Sequence, residues 1–167
     1  MTINGYDIDG VICELFKADK SFRQSNGVER KYLKELKNFH MVTARKLRNP
    51  EGLEIYLITG RKEKDRGATL QWLRKNEVKF HKLLMLQTAR TRENMIEHKK
   101  RMIEYYNIDT FYEDDPKIAK KLQKLLPKVK VELVDSSCNI KYQKDLEKEL
   151  KAFRKENIFD NMVNKTT

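Results

Sequence analysis

The chain is 167 residues and 20.0 kDa, with 36 Lys and Arg against 25 Asp and Glu and a formal charge of +11. Hydrophobic residues at 39% suffice for one core, and charged residues at 37% imply a heavily solvated surface, so disorder throughout and more than one large domain are both excluded. No apolar run approaches the roughly 20 residues that span a bilayer, the opening MTINGYDIDG lacks the regions of a signal peptide, and two cysteines 125 positions apart make neither a disulfide framework nor a zinc site; the expectation is a cytoplasmic protein with no membrane partner and buried thiols.

Taken in order, Ile3 to Ile8 has the length and β-branched content of a buried strand. About 40 residues, 13–52, then separate it from the second strand, more than a plain crossover needs. Within them Glu14 to Gly27 is polar and turn-rich and reads as a flap over one end of a sheet. Val28 to Leu47 reads as one or two helices carrying Tyr32, Leu33, Leu36, Phe39 and Val42, closed by Asn49, Pro50 and Gly52. Leu53 to Thr59 is the second strand. Residues 65–76 form a helix with Leu70, Trp72 and Leu73 on its apolar arc, and Leu83 to Leu86 is a weaker strand. Residues 92–106 repeat Met95, Ile96, Met102, Ile103 and Tyr106 at helical spacing, and Thr110 to Tyr112 is a very short strand. Residues 116–126 open with Pro116 at a helix N1 position and repeat Ile118, Leu122 and Leu125. Val129 to Val134 is the last apolar run, and the tail carries a charged helix over about 142–160 that frays at its end. Strands alternating with helices, the strands near-continuously apolar, predict an α/β fold with a mostly parallel sheet covered on both faces. One domain over 1–167 with a small cap-like insertion at 13–52 is the economical organisation.

The charge is concentrated. Residues 61–105 carry 13 basic against 6 acidic groups, a surplus of +7, whereas the flanking segments carry +2 each. Such a segment can face an anionic partner, although solvated Lys-rich helices give similar counts. No helix-turn-helix, zinc finger or RNP-like strand accompanies it.

The residues able to do chemistry sit at strand ends. Asp7 and Asp9 leave the first strand two positions apart, with Gly10 allowing a sharp turn, where open α/β sheets bind ligands. The bland alternative is a solvent-exposed turn. The second strand ends in Thr59-Gly60-Arg61, a hydroxyl, backbone N–H groups and a guanidinium suited to a phosphate. Glu113-Asp114-Asp115 follows the short strand; three adjacent acids repel unless a cation neutralises them, which suggests a metal site, while Asp115 before Pro116 also fits a helix cap. Lys99 and Lys100 lie in the preceding helix, where an ammonium aimed at the carboxylates would orient a nucleophile.

In that order, Asp7-Ile8-Asp9-Gly10-Val11, Ile58-Thr59-Gly60-Arg61, Lys99 and Glu113-Asp114-Asp115 resemble the four motifs of the haloacid dehalogenase superfamily of phosphotransferases, over about residues 3–135. The stretch ITGRKEKDRGATLQWLRKN is in turn similar to small nucleotidases and to the phosphatase domain of polynucleotide kinases. The resemblance implies a Rossmann-like fold and a phosphomonoester hydrolase in which Asp7 is the nucleophile forming an aspartyl-phosphate. Asp9 would protonate the leaving oxygen and then activate water. Thr59, with Gly60 and Arg61, would bind the phosphate, and Lys99, preferred to Lys100 because Met102 and Ile103 follow it at helical spacing, would steady the intermediate. Mg²⁺ would be bound by Asp7, the Asp9 backbone carbonyl and Asp114, with Asp115 as the alternative. The insertion lies where members of the superfamily often place a cap, and its small size suits bulky substrates; the expected partner is a phosphorylated small molecule, a nucleotide or a phosphorylated nucleic-acid end. The competing class is a catalytically idle binding protein that recruits nucleic acid through the basic middle segment. Dehalogenation is disfavoured because it gives Asp9 and Asp114 no purpose.

Overall fold

The computed structural model describes residues 2–19 and 27–163. Within them the chain runs β1 (Ile3–Tyr6), β2 (Leu15–Lys17), α1 (Gly27–Thr43), β3 (Glu54–Lys62), a 3₁₀ turn (Glu63–Asp65), α2 (Arg66–Lys75), β4 (Lys82–Leu86), α3 (Arg92–Tyr105), β5 (Thr110–Glu113), α4 (Pro116–Leu125), β6 (Lys130–Leu133), β7 (Ile140–Tyr142) and α5 (Gln143–Val163). These residues fall into two compact units, 1–15 with 44–140 and 16–43 with 141–167.

The larger unit is an α/β layer structure. Among the described residues its sheet has five strands, all pairs parallel, in the order β4-β3-β1-β5-β6. Parallel neighbours need crossover connections, which α2, α3 and α4 supply, so the strands are covered and read as apolar runs. The fold is Rossmann-like. One core layer joins Ile8, Leu57, Trp72, Leu73 and Met85, and the other joins Ile58, Ile103, Phe111, Ile118 and Leu122. Trp72 is wholly buried and satisfies its indole N–H on the Ala44 carbonyl at 2.7 Å.

The first strand is less apolar than its neighbours for a packing reason. A Cβ on Gly5 would lie 2.8 Å from the Phe111 ring, so the bare backbone lets that ring lie over Gly5 on the sheet face, while Asn4 donates to the Glu51 carbonyl at 2.7 Å. The α4 periodicity differs by one position from that read in sequence: Leu125 is exposed and Leu126 buried, because the turn continues through the Leu126 N–H to the Leu122 carbonyl and places 118, 122 and 126 on one face. β3 also runs longer, through Gly60 and Arg61 to Lys62, with a register shift between Thr59 and Lys62. Thr59-Gly60-Arg61 is therefore an irregularity inside a strand and not the turn that follows one.

The smaller unit pairs α1 with α5 through Leu36, Leu146 and Leu150, with Phe16, Tyr32 and Phe39 against them. Glu35 and Arg154 form an ion pair, and the Phe39 and Phe153 rings lie 5.5 Å apart. The charged tail helix thus owes its apolar stripe to α1. Of the flap expected at Glu14 to Gly27, residues 20–26 lie outside the described residues, as does the expected fraying at 164–167. No helix among the described residues is long and apolar enough to cross a membrane.

The expectation of two buried thiols is corrected. Cys13 is buried, but Cys138, in the turn after β6, is exposed because that turn lies outside both core layers. Burial, then the neighbouring Asp9, pushes the Cys13 thiol well above its ordinary range, and its thiolate population at pH 8 is correspondingly small. A chromogenic disulfide reagent at pH 8 is expected to titrate one thiol rapidly in the native protein and the second only in denaturant; Cys138→Ser should leave a native protein with no fast-reacting thiol.

Candidate active site

The strand order creates a cluster at the carboxyl ends of the central strands. Pairing of Tyr6 with Tyr112 and with Leu57 places the residue after β1, Asp7, beside Glu113 on one side and beside the approach to Thr59 on the other. The Asp7 N–H still donates to the Tyr112 carbonyl at 2.9 Å, and the chain then turns through the Ile8 carbonyl, which accepts from Ile12 and Cys13 at 3.0 and 3.1 Å. Gly10 at the turn has φ +80°, and an added Cβ would stand 2.1 Å from Asp114 Oδ2. Glycine is required there twice over, by conformation and by the approach of that carboxylate.

Lys99 rises from α3 into the centre of this cluster. Its side chain is 1% exposed, and Nζ donates to Asp7 Oδ2 at 2.7 Å and to Glu113 Oε2 at 2.5 Å. Burial alone would lower the ammonium, but Asp7 and then Glu113 outweigh it and hold it above the usual lysine value. Lys100, one residue on, points to the helix surface and pairs with Glu104 at 3.0 Å. Asp114 accepts from the Ser136 hydroxyl at 3.1 Å, and burial, then Asp7, pushes its carboxyl up to about 6. Asp115 turns away: its Oδ1 caps α4 by accepting from the Lys117 and Ile118 N–H groups at 2.8 and 3.2 Å.

A second cation serves Asp9. The Arg61 guanidinium is buried and forks onto it, Nε to Oδ2 at 3.0 Å and a terminal nitrogen to Oδ1 at 2.7 Å, with the other terminal nitrogen on Thr69 Oγ1 at 3.2 Å. Burial opposes the charge, but Asp9 raises the guanidinium further, so it stays charged. The Arg61 N–H donates to Thr59 Oγ1 at 3.2 Å, and Gly60 is buried beneath Met95, whose sulfur would meet an added Cβ at 2.5 Å. The residues singled out in sequence thus come together, with Arg61 committed to Asp9, Lys100 outside the cluster and Asp115 at a cap.

Among the described residues, Asp7, Asp9, Glu113 and Asp114 face Lys99 and Arg61, an excess of carboxylate over cation. Carboxylate oxygens of Asp7, Glu113 and Asp114 all lie within 4.8 Å of one another, an all-oxygen donor set that could hold a hard divalent cation. Three contributions escaped sequence reasoning. Glu113 as a partner of Lys99 was legible in principle, since alternation along β5 puts it on the buried side with Phe111. Thr69 and Ser136 carried no local signal, because only the crossover helix and the turn after β6 bring them in.

No protein-family model and no curated protein matches the sequence. Two solved structures are similar in fold: a chain of the Pnkp1/Rnl/Hen1 RNA repair complex, at 19% identity and TM-score 0.51, and a chain of a second Pnkp1/Rnl/Hen1 complex structure, at 16% identity and the same TM-score. Each match covers 79% of this chain, which spans only 42% and 44% of those chains. Such likeness is a distant link of fold.

Removing the Lys99 charge leaves two buried carboxylates without their cation. Lys99→Met is expected to lower stability by about 3–5 kcal/mol in urea unfolding, and adding Glu113→Gln to recover a measurable part of that loss. A single variant as stable as the parent would mean that the ammonium does not hold the strand ends.

Proposed function

We propose that this chain is a haloacid dehalogenase-type phosphomonoesterase that works through an aspartyl-phosphate on Asp7. The observation that carries the reading is Lys99, buried between Asp7 and Glu113 at the end of β1, with Asp114 beside them. An ammonium at 2.7 Å orients Asp7 and offsets the approach of an anionic phosphate to an anionic nucleophile.

In the first half-reaction an Asp7 oxygen bonds phosphorus, the bond to the ester oxygen breaks, and Asp9, entering protonated, gives its proton to the departing oxygen. In the second, water attacks phosphorus while Asp9 takes its proton, and the Asp7 carboxylate is released with phosphate. Arg61 fixes the direction of Asp9 by forking onto both of its oxygens. Thr59 and Gly60 border the phosphate side, with the Thr59 hydroxyl taking the Arg61 N–H and keeping its own hydrogen to donate. Mg²⁺ fits the all-oxygen donor set; Asp7, the Asp9 carbonyl and Asp114 would hold it, and bound there it would neutralise phosphate charge during transfer.

The substrate class favoured is a nucleotide or a phosphorylated nucleic-acid end. The +7 surplus in residues 61–105 supports an anionic substrate larger than the phosphate itself, and the distant likeness to chains of an RNA repair complex agrees with that choice.

Phosphate release is expected with Mg²⁺ from at least one of a nucleoside monophosphate, 3′- and 5′-phosphorylated oligonucleotides and an aryl phosphate, to stop with chelator, and to return on adding the metal back. Asp7→Asn should abolish turnover while circular dichroism still reports the parent fold, at a lower melting temperature because Lys99 keeps only Glu113 as a charged partner. Undiminished turnover in that variant would remove Asp7 as nucleophile.

A further inference from the structure

We propose that a second surface of the larger unit, nearer the amino ends of β3 and β4 and apart from the carboxylate cluster, is a stacking platform for single-stranded nucleic acid. Four rings run in contact across it. His81 lies 6.5 Å from Tyr56 at an interplanar angle of 24°, Tyr56 lies 4.7 Å from Tyr106 at 29°, and Tyr105 closes the row edge-on to Tyr106 at 4.8 Å and 80°. Tyr56 comes from the start of β3, His81 and Lys82 from the entry to β4, and Tyr105 and Tyr106 from the end of α3, so the row depends on three elements meeting at one sheet edge.

The inner rings are packed and the outer ones open. Tyr56 is buried and holds its hydroxyl on Glu54, whereas Tyr105 is 73% exposed and His81 is exposed. An exposed tyrosine in ring contact at its base offers a π face to a base at little conformational cost, because its neighbours already restrict it.

Charge selects the occupant. Lys82 Nζ sits 5.0 Å from the centre of the Tyr106 ring, and Lys79, three residues earlier, is exposed. The nearby acids already have partners: Glu54 takes the Tyr56 hydroxyl, Glu104 takes Lys100, and Asp109 takes the Ile3 N–H at 2.7 Å. Aromatic faces beside exposed lysines match a flexible chain that alternates bases with phosphates. An acidic peptide would use the lysines and leave the rings idle, and a duplex would hide its base faces. The platform uses none of the residues assigned to catalysis, so it stands or falls apart from the phosphatase reading.

The test uses fluorescence anisotropy with 12-nucleotide single strands of RNA and of DNA that carry no terminal phosphate, in the absence of divalent metal. Salt-dependent binding is expected, weakened about fivefold or more by Tyr105→Ala and largely restored by Tyr105→Trp, with Lys82→Ala reducing the slope of log affinity against log salt by about 0.7. Circular dichroism checks that the variants fold, which the exposure of Tyr105 favours. Preference between the RNA and DNA arms would identify the natural strand. Absence of binding, affinity indifferent to Tyr105→Ala, equal affinity for a duplex, or equal affinity for polyglutamate would each overturn the proposal.

Discussion

A charged lysine with almost no exposed surface is the constraint around which the larger unit is arranged. Leaving Lys99 in an apolar core without partners would cost several kcal/mol, so the fold must bring carboxylates to it, and it brings two. Asp7 arrives because β1 lies at the centre of the sheet, and Glu113 arrives because β5 is its parallel neighbour with Tyr6 opposite Tyr112. A slip of one residue in that register would turn Glu113 to the other face and leave the ammonium with half of its partners. The same ion triad therefore specifies strand register and presents the strand-end carboxylate.

The two strand-end acids have separate cations. Lys99 addresses Asp7, and Arg61 addresses Asp9 through both carboxylate oxygens. A lysine is a point charge on a flexible stem and a guanidinium is a planar fork, so the first leaves Asp7 an oxygen for other contacts while the second fixes the plane of Asp9. The Ile8 N–H donates to the other Asp7 oxygen at 2.7 Å, which directs that carboxylate from the opposite side. With Asp114 added, the cluster holds more carboxylates than its two cations match, and the rise of Asp114 to about 6 comes first from its burial and then from the neighbouring Asp7. A divalent cation would correct such an excess and leave room for an anionic phosphate to approach, which is the physical sense of the proposed chemistry.

The surface near the amino ends of β3 and β4 has a different character. There the contacts are ring on ring and ammonium on ring, and the acids are tied to local partners. The α3 helix reaches both regions, with Lys99 in its third turn and Tyr105 at its end. Six residues separate them, about 9 Å along a helix. One helix thus contributes the central cation of the carboxylate cluster and the outermost ring of the aromatic row.

Much of this was legible in the sequence because it depends on short-range pattern. Near-continuous apolar runs separated by helical periodicity require covered parallel strands, and carboxylates just past such a run must emerge at a strand's carboxyl end. What escaped was set at long range. The one-position shift from Leu125 to Leu126, the bulge that carries Gly60 and Arg61 inside β3, and the exposure of Cys138 follow from where neighbouring segments pack. Arg61 offers the clearest case: beside Thr59 in sequence it is chemically apt for a phosphate, and only the meeting of β3 with the turn after β1 commits it to Asp9, 52 residues away. Sequence alone determined the layers of the fold and the chemical types gathered at one end of the sheet, since periodicity and residue chemistry are local. Tertiary structure decided which charge faces which, because ion pairs are chosen by distance in space.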